Sequence, residues 1–225
     1  MQKGGKELIE FTELLIESVE DYNKLYECVG KEAIDEQAVD ILKKFLGTKC
    51  NRIVVEYPYH DKDFLSTYYC YYSKKFRGFS KKCYRLHIMG ENEKYFGYII
   101  LRPTVKGTRL GTTYLSPQPL LDEDAYLMLA KYEAHIMDNK RDIKCFPWMK
   151  QEVDIAVCAH VAAWTILRYY GNKYHNYADT TMGAIAQKIK GDMGRKTPSN
   201  GLTPVQIADL FQEYGFSPII RGGMK

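Results

Sequence analysis

The segment from Phe146 to Gly171 constrains the fold of this chain more than any other part of the sequence. From Cys158 onward it consists of small and apolar residues at helical spacing. These positions cover more than one face of the predicted helix, so the helix should be buried between other elements. The sequence therefore predicts a buried helix from Cys158 to Tyr170 that begins with a thiol. Its apolar positions are Ala159, Val161, Ala162, Ala163, Trp164, Ile166 and Leu167.

Cys158 and Gln151 are a pair of residue types suited to acyl-transfer chemistry. The N-terminus of a helix favours a thiolate, because the helix dipole and the free N–H groups stabilise negative charge there. A glutamine amide just upstream can donate a hydrogen bond to the oxyanion of a tetrahedral intermediate. The alternative is that Cys158 only fills space in a core, as free cysteines often do. Cys158 is the candidate nucleophile, and Gln151 is the candidate oxyanion donor.

Two stretches of the sequence resemble the bacterial peptidase C39-like family, a papain-like cysteine peptidase family with an N-terminal extension. The first is FPWMKQ followed by VCAHVAAW, and the second is GLTPVQIADLFQEYGFSPII, from Gly201 to Ile220. A strand that ends like Gly97 to Thr104 recurs upstream in that family. The resemblance covers roughly residues 95–220. It implies hydrolysis of a peptide or isopeptide bond through a thioester on Cys158, with a peptide or protein as the substrate.

The spacing between Gln151 and Cys158 departs from the family pattern. Seven positions separate them, one more than the family usually has. Either a bulge absorbs the extra residue, or Gln151 is not the oxyanion donor. Both alternatives stay open at the level of sequence.

A thiol peptidase also needs a histidine to activate the thiol, and usually an Asn or Asp to orient that histidine. The resemblance places both on strands downstream of the Gly201 stretch, where this sequence has no residue to match them. His160 lies two positions after Cys158, about 200° around the helix, and should face away. Only His135, in a predicted hairpin before the cysteine, could approach it. The other histidines are His60, His87 and His175.

Three explanations remain for the missing base. The chain is a truncated piece of a longer peptidase, a pseudo-enzyme that keeps the scaffold as a binding module, or a subunit whose histidine comes from another chain. We favour truncation, and expect this chain alone to be inactive. The rival function is a non-enzymatic interaction or scaffold protein.

The hydrophobic periodicity predicts an α+β fold. We expect an N-terminal α+β domain of unknown role at residues 1–142, with mixed helices and antiparallel strands. The resemblance implies that residues 143–225 form the helical half of a papain-like fold. The predicted elements are a helical region at 6–47, a strand at 51–57, a helix at 60–76, a hairpin at 83–89 and 95–102, a strand at 108–115, and a second hairpin at 126–137 and 141–146 with its turn at 138–140.

Composition excludes several classes of protein. No run of eighteen apolar residues occurs, so no membrane span is expected, and the N-terminus is not a signal peptide. Six scattered cysteines without CxxC pairs predict reduced thiols and a cytoplasmic location. The net charge of +4 is too small to indicate a nucleic-acid partner. No zinc-ligand or phosphate-loop spacing is present, so neither metal nor cofactor is expected.

The predicted cysteine helix also raises the question of what covers its second apolar face. Monomers rarely leave an apolar patch of more than a few hundred Å² exposed. We expect either the hairpin around Asp138 or a neighbouring subunit to cover it, which makes self-association an expected outcome. If the second face is covered, the side chain of Trp164 should be buried.

Overall fold

A computed structural model describes residues 8–103, 110–120, 126–151, 158–189 and 201–222, and its fold is α+β, as the sequence predicts. A six-stranded antiparallel sheet forms its centre. The strands in spatial order are β1 (Glu10–Leu15), β2 (Cys50–Tyr59), β3 (Cys83–Gly90), β4 (Tyr95–Leu101), β5 (Leu110–Leu115) and β8 (Trp148–Met149). A separate hairpin pairs β6 (Ala130–Ile136) with β7 (Asn139–Cys145).

Helices cover both faces of the sheet. Two of them, α1 (Lys24–Val29) and α2 (Glu36–Leu46), pack on one face. The other face carries α3 (Lys62–Cys70) and the β6–β7 hairpin, with α4 (Cys158–Lys173), α5 (Met182–Lys188) and α6 (Pro204–Glu213) packed beyond them. None of these helices, in the part of the chain that the structure describes, is both long and apolar enough to cross a bilayer.

The two faces of the sheet differ in chemistry because successive side chains of a strand point to opposite sides. On β2, Ile53 and Val55 belong to the apolar core under α1 and α2. Glu56 points to the opposite face, where it meets His87 of β3. That second face is rich in tyrosine and charge, and it is the face on which α3 and the β6–β7 hairpin lie.

The first part of the predicted helical region is wrong. Residues 10–15 form the edge strand β1, which pairs with β2 from Glu10↔Tyr57 to Leu15↔Arg52. The apolar spacing of this short segment fits either a helix or a strand. Short helices are marginal on their own, so backbone pairing with a long neighbouring strand decides the outcome. The rest of the region is helical where α1 and α2 lie, and the predicted strand at 51–57 and hairpin at 83–102 are confirmed.

The hairpin before the cysteine helix is also confirmed. Its turn is centred on Met137 and Asp138, whose φ angles of 45° and 65° are the left-handed values that a two-residue hairpin turn requires. The turn therefore begins one residue earlier than predicted. Tyr132 and Ile143 of the hairpin pack with Tyr169 of α4, so the hairpin does cover one face of that helix.

The second face of α4 is covered within the chain. Trp164 is 0% exposed, and its indole N–H reaches Asp63 of α3. A neighbouring subunit is therefore not needed to cover it, and self-association stays a prediction without support from this helix. The predicted boundary after residue 142 falls within β7, and β8 joins the main sheet by pairing with β5. The division into domains at 1–142 and 143–225 thus stays a prediction. The pairing of β8 with β5 joins the two predicted domains.

Candidate functional site

Cys158 is the first residue of α4, and its side chain is exposed. The other cysteines are half-buried (Cys28 and Cys70) or buried (Cys50, Cys83 and Cys145), and all six are free thiols. Among the six, Cys158 therefore offers the thiol that a dissolved reagent or substrate can reach. Cys158 is the first described residue of this helix, and the prediction that the helix begins with a thiol stays a prediction.

The body of α4 holds this thiol in a fixed position. Trp164 and Leu167 are almost fully buried, and they pack against Met182 and Ile185 of α5 and Leu210 of α6. Burial of several large side chains anchors a helix far more strongly than its intrinsic propensity does. An exposed residue at the end of such a helix is presented on a rigid support.

Gln151 lies two residues beyond β8, and its side chain is exposed. Pairing of β8 with β5, and a 3.2 Å hydrogen bond from Arg102 Nη2 to the carbonyl of Lys150, hold the backbone just before it. Residues 152–157 lie outside the described part of the chain. No hydrogen bond joins Gln151 to Cys158 among the described residues, so its role as oxyanion donor stays a prediction.

The five histidines fall into buried and exposed groups. His87 is buried against Glu56 and Tyr95, while His60, His135 and His175 are exposed. His135 alternates with Ala134 and Ile136 of β6, which are buried, so its side chain points away from the hairpin face that packs on α4. Within the described part of the chain, no histidine is hydrogen-bonded to Cys158.

His160 is 2% exposed, and burial lowers the pKa of its imidazole. Its Nδ1 has no hydrogen-bond partner among the described residues. The imidazole of His160 is neutral and buried in the protein interior, whereas the thiol of Cys158 is exposed on the same helix. His160 is therefore not positioned to take a proton from that thiol. The prediction that His160 faces away from Cys158 agrees with this placement.

A buried ionic contact, which we call the Asp63–Arg168 junction, fixes α4 against α3. Arg168 Nη2 donates to both carboxylate oxygens of Asp63, at 2.8 and 2.9 Å, and to the carbonyl of Thr180 at 2.6 Å. Trp164 Nε1 and the backbone N–H of Met182 donate to the same carboxylate, at 2.9 and 3.3 Å. A buried carboxylate with this many donors joins three helices at one point.

The sequence contains one signal of this junction that the pattern analysis did not use. Arg168 interrupts an otherwise apolar helix, and a buried arginine requires an acidic partner. Which acid it meets depends on how α3 packs on α4, and spacing along the chain carries no information about that contact.

A second buried charge cluster lies on the same face of the main sheet. Arg85 Nε and His87 Nε2 both meet Glu56 Oε2, at 2.6 and 3.1 Å. Burial lowers the pKa of His87, so the ring is neutral. Because a carboxylate only accepts, Nε2 carries the proton, and Nδ1 accepts from the hydroxyl of Tyr95 at 2.8 Å. The sequence analysis placed His87 in a strand but missed this cluster.

Asp61, the N-cap of α3, provides a pH-dependent prediction. Burial, together with the neighbouring charge of Asp63, raises the pKa of Asp61 from 3.8 to about 6. The folded state therefore holds this proton more tightly than the unfolded state, and stability falls as pH rises from about 4 to about 6. Asp61→Asn keeps an acceptor for the N–H of Phe64 and removes the charge. We expect it to stabilise the fold by about 1–3 kcal/mol at pH 7, and to lose this advantage below about pH 4.

Asp35→Asn is the matched control, because Asp35 caps α2 in the same way, through a 2.7 Å bond from the N–H of Ala38. We expect it to change stability by less than about 0.5 kcal/mol at either pH, since Asn and Asp are nearly equivalent caps. Urea denaturation of both variants at the two pH values measures the difference. Equal effects of Asp61→Asn and Asp35→Asn at neutral pH would contradict the raised pKa.

The chain matches no model of a known protein family, and it has no significant match among curated proteins or solved structures.

Proposed function

We propose that this chain carries the nucleophile of a papain-like cysteine peptidase site of the C39-like kind. The thiolate of Cys158 attacks the carbonyl carbon of a peptide or isopeptide bond, and Gln151 donates a hydrogen bond to the oxyanion. Collapse of the tetrahedral intermediate expels the amine, which takes up a proton, and leaves a thioester on Cys158. Water then attacks the thioester, releases the acid and restores the thiol.

One observation carries this proposal: Cys158 is exposed on a helix that Trp164 and Leu167 anchor in the core. A cysteine that only filled core space would be enclosed, as Cys50, Cys83 and Cys145 are. The proposal requires an imidazole from outside this chain, because its own histidines are either buried or make no bond to Cys158 within the described residues.

Alkylation of the six thiols tests the proposal. We expect iodoacetamide to modify Cys158 at least about tenfold faster at neutral pH than the half-buried Cys28 and Cys70, because thiolate character and exposure together set the rate. Peptide mapping by mass spectrometry over time measures each site separately. The buried cysteines should react only in the unfolded protein.

A second thiol on the same helix shows whether the reactivity of Cys158 comes from its exposure alone or also from its place on the helix. In a Cys158→Ser background, Ile166→Cys places a thiol at a partly exposed position in the middle of α4. We expect this thiol to react more slowly than Cys158. We expect no peptide turnover by the chain alone. Turnover that is lost in Cys158→Ala would instead assign the base to one of the chain's own histidines, with His135 tested first.

The alternative is a non-enzymatic interaction protein built on the same scaffold. The observation that favours it is the lack of any hydrogen bond between Cys158 and a histidine in the described part of the chain. A Cys158 that reacts no faster than the cysteine at position 166 would support this alternative and contradict the peptidase proposal.

A further inference from the structure

A cavity of about 490 Å³ lies on the polar face of the sheet, away from Cys158. It is bounded by Tyr98 of β4, Tyr114 of β5, Tyr132 of β6 and Arg168 in the C-terminal half of α4. Arg168 is ten residues from Cys158, which is about 15 Å along the helix. The volume is within the range of about 300–1,000 Å³ that is usual for small-molecule sites.

Three tyrosines form one wall of this cavity. The ring centroids of Tyr98 and Tyr114 are 5.1 Å apart, and those of Tyr114 and Tyr132 are 4.6 Å apart. This spacing is typical of packed aromatic rings, so the wall is rigid. It gives the cavity an aromatic side, with neighbouring rings inclined at 42° and 49°, against which C–H groups of a ring-shaped ligand can pack.

Two of the three hydroxyl groups of this wall are available for binding, whereas that of Tyr132 donates to the carbonyl of Arg168 at 3.5 Å. Tyr114 is 5% exposed, yet no described residue forms a hydrogen bond with its hydroxyl or with that of Tyr98. Burial raises the pKa of both tyrosines well above the usual value, so both remain neutral phenols that can donate and accept. A ligand in the cavity could exchange hydrogen bonds with both hydroxyl groups.

The charged groups around the cavity already have partners of opposite charge. Lys62 Nζ lies 2.6 Å from Asp179, which also meets Arg168. The remaining pairs are Lys131 with Asp142 at 2.8 Å and Glu133 with Lys140 at 2.6 Å. An anionic or cationic ligand would therefore have to displace an existing ion pair. A neutral ligand binds without doing so, and these side chains can still exchange hydrogen bonds with its hydroxyl groups.

We propose that this cavity binds a neutral, hydroxyl-rich ring compound of the size of a mono- or disaccharide. The aromatic wall packs on the ring, and the hydroxyls of Tyr98 and Tyr114 bond to its hydroxyl groups. The free carbonyl oxygen of Asn172 adds an acceptor at the edge, since the amide nitrogen already donates to the carbonyl of Lys131 at 2.6 Å. The proposal is independent of Cys158 and of the peptidase chemistry.

Titration of the full chain with a panel of sugars tests the proposal by ¹H–¹⁵N NMR. The neutral probes are glucose, maltose, cellobiose and diacetylchitobiose, and the charged probes are glucuronate, glucosamine and adenosine monophosphate. We expect at least one neutral sugar to bind with a Kd of about 1 mM or below. Its shift changes should centre on Gly171 and Asn172, at the edge of the cavity.

Removal of single hydroxyl groups locates the site. We expect Tyr114→Phe to weaken binding of that sugar about tenfold, because a buried hydrogen bond to the ligand is lost while the ring is kept. Its melting temperature without sugar should be no lower than that of the parent, since the removed hydroxyl has no partner among the described residues. Tyr84→Phe is the matched control, because Tyr84 stacks on Tyr57 at 4.4 Å and packs against the core on the opposite face of the sheet.

The outcomes that overturn the proposal are distinct. Absence of binding by every neutral sugar at about 10 mM would reject it, and so would tighter binding of a charged probe than of any neutral one. Equal affinities of Tyr114→Phe and the parent would show that a bound sugar lies elsewhere. Since none of these measurements involves the thiol, they leave the peptidase proposal unaffected.

Discussion

Asp63→Ala should destabilise the fold by about 3–5 kcal/mol, because it leaves a buried arginine without its charge partner. The substitution removes the carboxylate that accepts from Arg168, Trp164 and the backbone of Met182. Side-chain exposures of 4% for Arg168 and 3% for Asp63 leave little access for water to replace these bonds. Urea denaturation followed by circular dichroism and by the fluorescence of Trp164 measures the loss.

Asp179→Ala is the matched control for this substitution. Asp179 also pairs with Arg168, at 3.2 Å, but its side chain is about half exposed. Ion pairs with an exposed partner contribute about 0–1 kcal/mol to stability, so Asp179→Ala should change the free energy of unfolding by no more than this. If the two variants have similar stabilities, the junction does not hold α3 against α4. Cys158 labelling in Asp63→Ala should also become less selective, since the helix that presents the thiol is then less firmly anchored.

Glu56→Gln should destabilise the fold by about 2–4 kcal/mol, although it barely changes the shape of the side chain. The amide can still accept from one neighbour, but it no longer compensates the charge of Arg85, which lies 2.6 Å away and is largely buried. His87 is neutral, so the cluster retains an unpaired buried cation. Chemical denaturation near pH 7 measures the effect.

Glu93→Gln is the control for Glu56→Gln. Glu93 also accepts from an arginine, Arg52, at 2.6 Å, but the side chain of Glu93 is 60% exposed. We expect a change of less than about 1 kcal/mol, since exposed pairs contribute little. A loss as large as that of Glu56→Gln would mean that burial is not what makes the Glu56 cluster important.

The local sequence pattern was sufficient to predict most of the helices and strands. The hairpin of β3 and β4, the helix α3 and the helix α4 each follow from apolar periodicity and turn residues that lie next to one another in the sequence. The exposed Cys158 lies within the predicted helix α4. Where the local pattern was ambiguous, in residues 10–15, the prediction was wrong, because pairing with β2 decided the structure.

The contacts between charged and aromatic side chains on the polar face of the sheet could not be predicted from the local sequence pattern. Asp63 meets Arg168 across 105 positions, and Glu56 meets His87 across 31. Tyr98, Tyr114 and Tyr132 come together only because β4, β5 and the β6–β7 hairpin lie side by side. Each of these residues, seen in the sequence alone, is an ordinary charged or aromatic side chain in a strand or helix.

The sequence by itself determined the α+β class and the helix α4, because these depend on residues within one or two turns of each other. Only the tertiary structure decided what covers that helix, which acid neutralises Arg168 and where a cavity remains between the sheet and α4. The physical reason is that burial and charge compensation depend on contacts between distant segments. Those contacts are set by the packing of whole elements, and the local pattern of the chain does not specify them.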